Sequence, residues 1–273
     1  MSSSPDPREL SPAVQELLAG VAEGEAAADE AAAGGADWRQ HPAGPAVLAR
    51  RYFLVEAPTR DGTSGLVRKG GVFLHEPTAA LLLPSDFPPL ARRRPDFTRL
   101  RHVLVRFSFM LDRLPPRHAY ESARLIVTLD DPAAVVRAQR PAWVTTDGES
   151  HTSVTTEFSA ALTGMVRLGA DRTRVTGTRN QTARPVITAE NRGRAGFGWH
   201  YEAQDGAPLL PRIEFALAVV ELPATARELS GTLSAEAMIT EPRFGVLSST
   251  RAVPAEPSVP FQMELGAAGS APA

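Results

Sequence analysis

The stretch "GWHYE", Gly198 to Glu202, puts His200 and Glu202 on one side of an alternating run and Trp199 and Tyr201 on the other. An imidazole and a carboxylate two residues apart on a strand share a face, where they offer a general base and a general acid. A neighbouring strand carrying His102 and Arg106, in "RHVLVRF", would add a second base and an anion clamp. Solvated cross-strand polar pairs have the same pattern. His200, Glu202 and His102 are therefore the candidates for hydrolytic chemistry, and the expectation is that the chain is not an enzyme.

Most other chemistry is missing by residue type or spacing. The six histidines (41, 75, 102, 118, 151 and 200) form no His-x-His, His-x-x-x-His or His-Glu-x-x-His pair, so no local metal site is expected. Cysteine is absent, which removes thiolate nucleophiles, disulfides and thiolate zinc sites. The one lysine, Lys69, lies in "LVRKGGVF" without P-loop spacing, and "GFG" at 196–198 sits in a strand-like run with no helix after it. No Gly-x-Ser-x-Gly elbow occurs. No cofactor is expected.

Binding has more candidates. "ARRRPDF" gathers Arg92, Arg93 and Arg94 on a Pro-rich loop that suits phosphate or an acidic protein surface. The formal charge of −2 gives no global field for nucleic acid or anionic lipid, so a protein partner or self-association is the expected interaction. Trp143, in "RPAWVTTDG", is the only ring placed like a carbohydrate platform.

These residues need a scaffold. Ser11 followed by Pro12 is a helix start, with serine at the N-cap and proline at the first helical position. Val14, Leu17, Leu18 and Val21 then fall at helical spacing, which predicts a short amphipathic helix over residues 12–21. Isolated helices shorter than about 12–15 residues are marginal in water. This one must lie on something, either its own domain or the groove of a partner. The acidic, Ala-rich and Gly-rich run that follows, to residue 45, reads as a linker.

From residue 46 the period becomes two. Val103, Val105, Phe107, Phe109 and Leu111 form one apolar column. Ala123, Leu125, Val127 and Leu129 form a second, Phe197, Trp199, Tyr201 and Ala203 a third, and Val259, Phe261, Met263 and Leu265 a fourth. Such columns belong to half-buried antiparallel strands. Asp61-Gly62, Asp147-Gly148 and Asp205-Gly206 each separate two strand-like runs and predict hairpins. "RIEFALAVVEL" is apolar on both faces and reads as a central strand, whereas the proline-rich segment from Pro77 to Phe97 reads as a long crossing loop.

The longest alternating run, "SVTTEFSAALTGMVRL" from Ser153 to Leu168, raises the question of a membrane hairpin. Its would-be second arm carries Arg172 and Arg174 on one face and Asp171 and Arg179 on the other. Either face would put charge into lipid, where arginine at the midplane of a barrel costs about 2–4 kcal/mol. A bent pair of soluble strands is the simpler expectation, with a rearranging hairpin over residues 150–190 as the alternative.

The sequence thus predicts an all-β, antiparallel two-sheet sandwich of about 10–12 strands over residues 46–266. A helix and linker over 1–45 precede it and a tail over 267–273 follows. The bias to arginine, alanine and proline fits a GC-rich bacterial genome, and "MSSSPDPREL" has no signal-peptide pattern, so a cytoplasmic protein is expected. The function these features predict is an adaptor or assembly subunit. Its partner-binding residues would be Val14, Leu17, Leu18 and Val21 on a mobile helix, together with Arg92, Arg93 and Arg94.

Overall fold

The computed structural model describes residues 10–21, 45–58, 64–87, 96–141, 143–144, 150–151, 186–191, 195–204, 209, 211–243, 246–254 and 258–266. Among these, one helix, α1 (residues 12–21), precedes fourteen strands. They are β1 (Val47–Pro58), β2 (Ser64–His75), β3 (Thr78–Leu81), β4 (Leu100–Leu111), β5 (Ala119–Leu129), β6 (Val135–Arg140) and β7 (Trp143–Val144). The rest are β8 (Ser150–His151), β9 (Val186–Asn191), β10 (Gly196–Glu202), β11 (Ile213–Pro223), β12 (Glu228–Arg243), β13 (Val246–Pro254) and β14 (Val259–Glu264).

All pairings are antiparallel and fall into two layers, as the alternating columns require. The first sheet runs β6-β11-β4-β2-β1, with β3 filling the edge of β4 beyond β2. The second runs β13-β12-β5-β10-β9-β7-β8, with β14 on β12. A two-residue contact of β1 with β13, Phe53 opposite Pro254 and Leu54 opposite Val253, joins the layers along one edge. The architecture is an all-β sandwich with one short N-terminal helix.

The predicted columns meet between the layers. Phe107 packs edge-on to Phe197 and Phe261 at 5.7 and 6.1 Å, and Phe109 does so to Tyr201 at 4.9 Å. Trp199 is fully buried and donates its indole N–H to the Pro141 carbonyl at 3.0 Å. Aromatic residues concentrate the buried apolar area here, and edge-on packing suits their quadrupoles.

A second pin crosses the sandwich near the β1–β2 bulge. Gly70, at φ 73°, turns the strand through a conformation that side chains resist. Its neighbour Gly71 then donates its N–H to the Tyr120 hydroxyl, and that hydroxyl donates to the Gly71 carbonyl, both at 3.1 Å. Burial pushes the Tyr120 phenol well up from its ordinary range, so it stays a neutral donor.

β11 is central, flanked by β4 and β6, as its two apolar faces predict. The hairpins at Asp61-Gly62 and Asp147-Gly148 have their predicted partners in β1–β2 and β7–β8. The strands on either side of Asp205-Gly206, β10 and β11, do not pair with each other. β10 belongs to the second sheet and β11 to the first. A turn signal fixes a reversal of direction, not which sheet receives the next strand. The proline-rich segment is also not all loop, because Thr78 to Leu81 pair with β4.

Candidate functional site: the helix-covered face of the first sheet

The inner face of the first sheet lines the sandwich core, which leaves an apolar outer face to be covered. β4 and β11 create it, since Leu104, Leu217 and Val219 point away from the second sheet. Leu10, Val14, Leu17 and Leu18 pack there, against Ala80, Leu82, Phe87 and Ala138 as well. Val21, half-buried, extends the contact to Phe73, Met110, Ile213 and Phe215. The four apolar residues predicted for partner binding therefore all face the chain's own sheet. A partner reaches them only when α1 leaves.

Both ends of α1 meet a charge of complementary sign. At the start, Asp86 accepts the Ser11 backbone N–H at 2.6 Å and the Ser11 hydroxyl at 3.0 Å. Asp86 also accepts the Leu83 N–H at 2.7 Å, which holds the 3-10 turn Pro84–Asp86 against the helix. Ser11 accepts the Gln15 N–H at 3.0 Å through its carbonyl, as an N-cap does. At the far end the Arg106 guanidinium lies so close that a β carbon on Gly20 would sit 2.5 Å from its Nη1. An anion at the N-terminus and a cation near the C-terminus both stabilise the helix dipole.

Two buried histidines lie on the same outer face of the first sheet, since their neighbours Val103 and Leu74 point into the core. His102 is fully buried, edge-on to Phe97 at 5.0 Å and to Phe87 at 6.2 Å. Its Nε2 lies 3.3 Å from Glu221, which also accepts from Arg137 Nε at 3.0 Å and from Arg137 Nη2. Burial lowers the pKa of His102, although Glu221 opposes the shift. A neutral ring donates to a carboxylate that Arg137 already neutralises, and this arrangement ties β4, β11 and β6 together. His75, also fully buried, is held down to a pKa of about 4 by burial, with Arg106 adding repulsion.

The catalytic grouping suggested by spacing is not assembled. Trp199 and Val103 both point into the core, so His200 and His102 point out of opposite sides of the sandwich. On the second sheet, Arg124 donates Nε–H to His200 Nδ1 at 2.9 Å and lies 3.2 Å from Glu190. The lone pair a general base would use is thus taken by arginine. Glu202 is exposed two residues along, opposite Ser122 and Val186. Arg92, Arg93, Arg94 and the run from Ser153 to Leu168 lie outside the described residues. Trp143 forms part of β7.

Spacing could not reveal Asp86, Glu221, Arg137 or His75, whose partners are remote in sequence. Glu221 left one signal: an acid inside the otherwise apolar run from Phe215 to Pro223 of β11. Among the described residues no group of three potential ligands could hold a metal, and no helix is long and apolar enough to cross a membrane.

The class defined by this geometry is an all-β sandwich whose outer apolar face is closed by its own N-terminal helix. No protein-family model matches the sequence, and no curated protein is similar to it. Similar solved structures include Clostridium perfringens delta-toxin, at 7% identity and a TM-score of 0.31 over 79% of this chain and 88% of that one. The membrane-inserted form of the Clostridium perfringens NetB toxin aligns at 7% identity and 0.27, over 79% and 94%. BcpA, the major pilin subunit of Bacillus cereus, aligns at 14% and 0.26, over 74% and 47%. Likeness at these scores carries no function to this chain.

Proposed function

We propose that the chain is a non-enzymatic protein-binding module, an adaptor or assembly subunit, and that it binds through the outer face of the first sheet with α1 as an exchangeable cover. One observation carries the reading: an apolar sheet face is closed by a ten-residue helix fastened through Asp86 at its start, with the Arg106 guanidinium close to its far end. A helix this short has little stability of its own. Its docked state depends on those contacts and on Val14, Leu17 and Leu18, so a competing amphipathic helix from a partner or a second copy can replace it.

The test uses two full-length variants and a labelled peptide spanning residues 8–24. Leu17→Asp disfavours docking of the chain's own helix and leaves the sheet face intact. S11C/D86C joins two side chains that are in contact, and in a chain without cysteine the cross-link is unambiguous. Fluorescence anisotropy is expected to show the peptide binding the Leu17→Asp protein and not the oxidised double variant. The two forms, used as baits, should then capture different partners. Failure of the Leu17→Asp protein to bind the peptide would remove the proposal, because the face would then accept no helix in trans.

A further inference from the structure

The face under α1 holds a cation to which α1 brings no carboxylate. Arg106 stands on the outer side of β4, since its neighbours Val105 and Phe107 point into the core. It is half-buried, with Thr78 of β3 directly opposite and the Phe215 ring of β11 5.9 Å from its guanidinium carbon. Burial lowers its pKa from the ordinary arginine value, and no neighbouring charge opposes the shift. No acid among the described residues forms an ion pair with it.

Thr78 repeats the deficit. Its hydroxyl is buried and has no hydrogen-bond partner among the described residues. Residues directly opposite on adjacent strands stand about 4.5–5.5 Å apart and share a face, so two donors lie together here without an acceptor. Buried polar groups are ordinarily paired. What both lack is a carboxylate.

Position 20 of the helix is where one would enter. The only acid within residues 12–21, Glu16, is exposed, whereas a β carbon on Gly20 would sit 2.5 Å from Arg106 Nη1. That close approach is to the tip of a flexible side chain, which can withdraw to pairing distance. An apolar residue would displace the guanidinium without neutralising it. An acidic residue in α1 itself would fall in the last turn, against the negative end of the helix dipole. A longer helix that runs past this point avoids that penalty.

We propose that the helix that replaces α1 belongs to a different protein and carries an acidic residue where α1 has Gly20, with apolar residues at the spacing of Val14, Leu17, Leu18 and Val21. Its carboxylate pairs with Arg106 and accepts the Thr78 hydroxyl. Charge-assisted bonds of this kind are stronger than neutral ones, and Arg106 has already lost part of its water under α1. This reading rests on the exchange of α1 proposed above and names the chemistry that selects the incoming helix. A second copy of this chain is the poorer occupant, because its helix again brings glycine to Arg106.

The experiment uses full-length Leu17→Asp protein and labelled peptides spanning residues 8–24, continued by a turn of alanines so that position 20 is not in the last turn. One peptide keeps Gly20, one carries Gly20→Glu, and one carries Gly20→Gln, which matches glutamate in length and helix propensity without its charge. All keep Glu16 and Glu23, so the comparison reports position 20 alone. Fluorescence anisotropy is expected to show the glutamate peptide binding about tenfold more tightly than the glutamine peptide. Adding Arg106→Gln to the protein should erase that preference, and Arg106→Lys should keep part of it. With Arg106 intact, its Nε–H resonance should shift with the glutamate peptide and not with the glutamine one. Equal or weaker binding of the glutamate peptide, a preference that survives Arg106→Gln, or an unmoved Arg106 resonance would overturn the proposal, and binding of the Gly20 peptide would still uphold helix exchange. Binding of none of the peptides would remove both.

Discussion

Asp86 accepts both the backbone N–H and the hydroxyl of Ser11, at 2.6 and 3.0 Å, across 75 residues of chain. The carboxylate is almost fully buried and also binds the Leu83 N–H, so a single side chain fixes the helix start and the turn beneath it. Removing it leaves three donors short of their acceptor. Asp86→Ala is expected to destabilise the protein by about 2–4 kcal/mol, since buried donors lose a charged acceptor. Amide exchange in residues 12–21 should accelerate far more than exchange in β5 or β10. Uniform acceleration across the sandwich would show that α1 is not a separately releasable element.

His75 makes the same face sensitive to acid. Its folded pKa of about 4 lies below the ordinary value of 6.5, because burial and the facing Arg106 cation disfavour a second positive charge. The unfolded chain therefore binds the proton more readily, and stability contributed by the neutral ring falls as pH drops from about 6.5 to about 4. The linked loss is on the order of 3 kcal/mol. Urea unfolding across this window should show the slope, and His75→Gln should flatten it. An unchanged slope in that variant would assign the acid sensitivity to other groups, His102 first among them.

Tyr120 joins the two sheets at Gly71 through a hydroxyl that both accepts and donates at 3.1 Å. Tyr120→Phe should cost about 1–3 kcal/mol, the range for leaving a buried backbone group unsatisfied, with the urea m-value unchanged. Gly70→Ala should cost more than a glycine-to-alanine change usually does. It combines a backbone at φ 73° with a β carbon directed into the Tyr120 hydroxyl and the Leu114 side chain. Chemical denaturation of the two variants in parallel distinguishes the lost hydrogen bond from the strain.

Alternation and helical spacing determined which residues turn inward: Val103, Phe107, Leu125, Trp199 and Phe261 are in the core, and Val14, Leu17 and Leu18 share one buried helix face. These properties are local, set by periods of two and of 3.6 along the chain. Which sheet a strand joins is not local. The tertiary structure alone decided that β10 and β11 lie in different layers, that His200 and His102 point out of opposite sides, and that the helix face packs on β4 and β11. The polar partnerships were equally hidden, since Ser11 with Asp86 and His102 with Glu221 are 75 and 119 residues apart. No period connects such pairs. They exist because desolvated charges and donors must find each other once the sheets have packed.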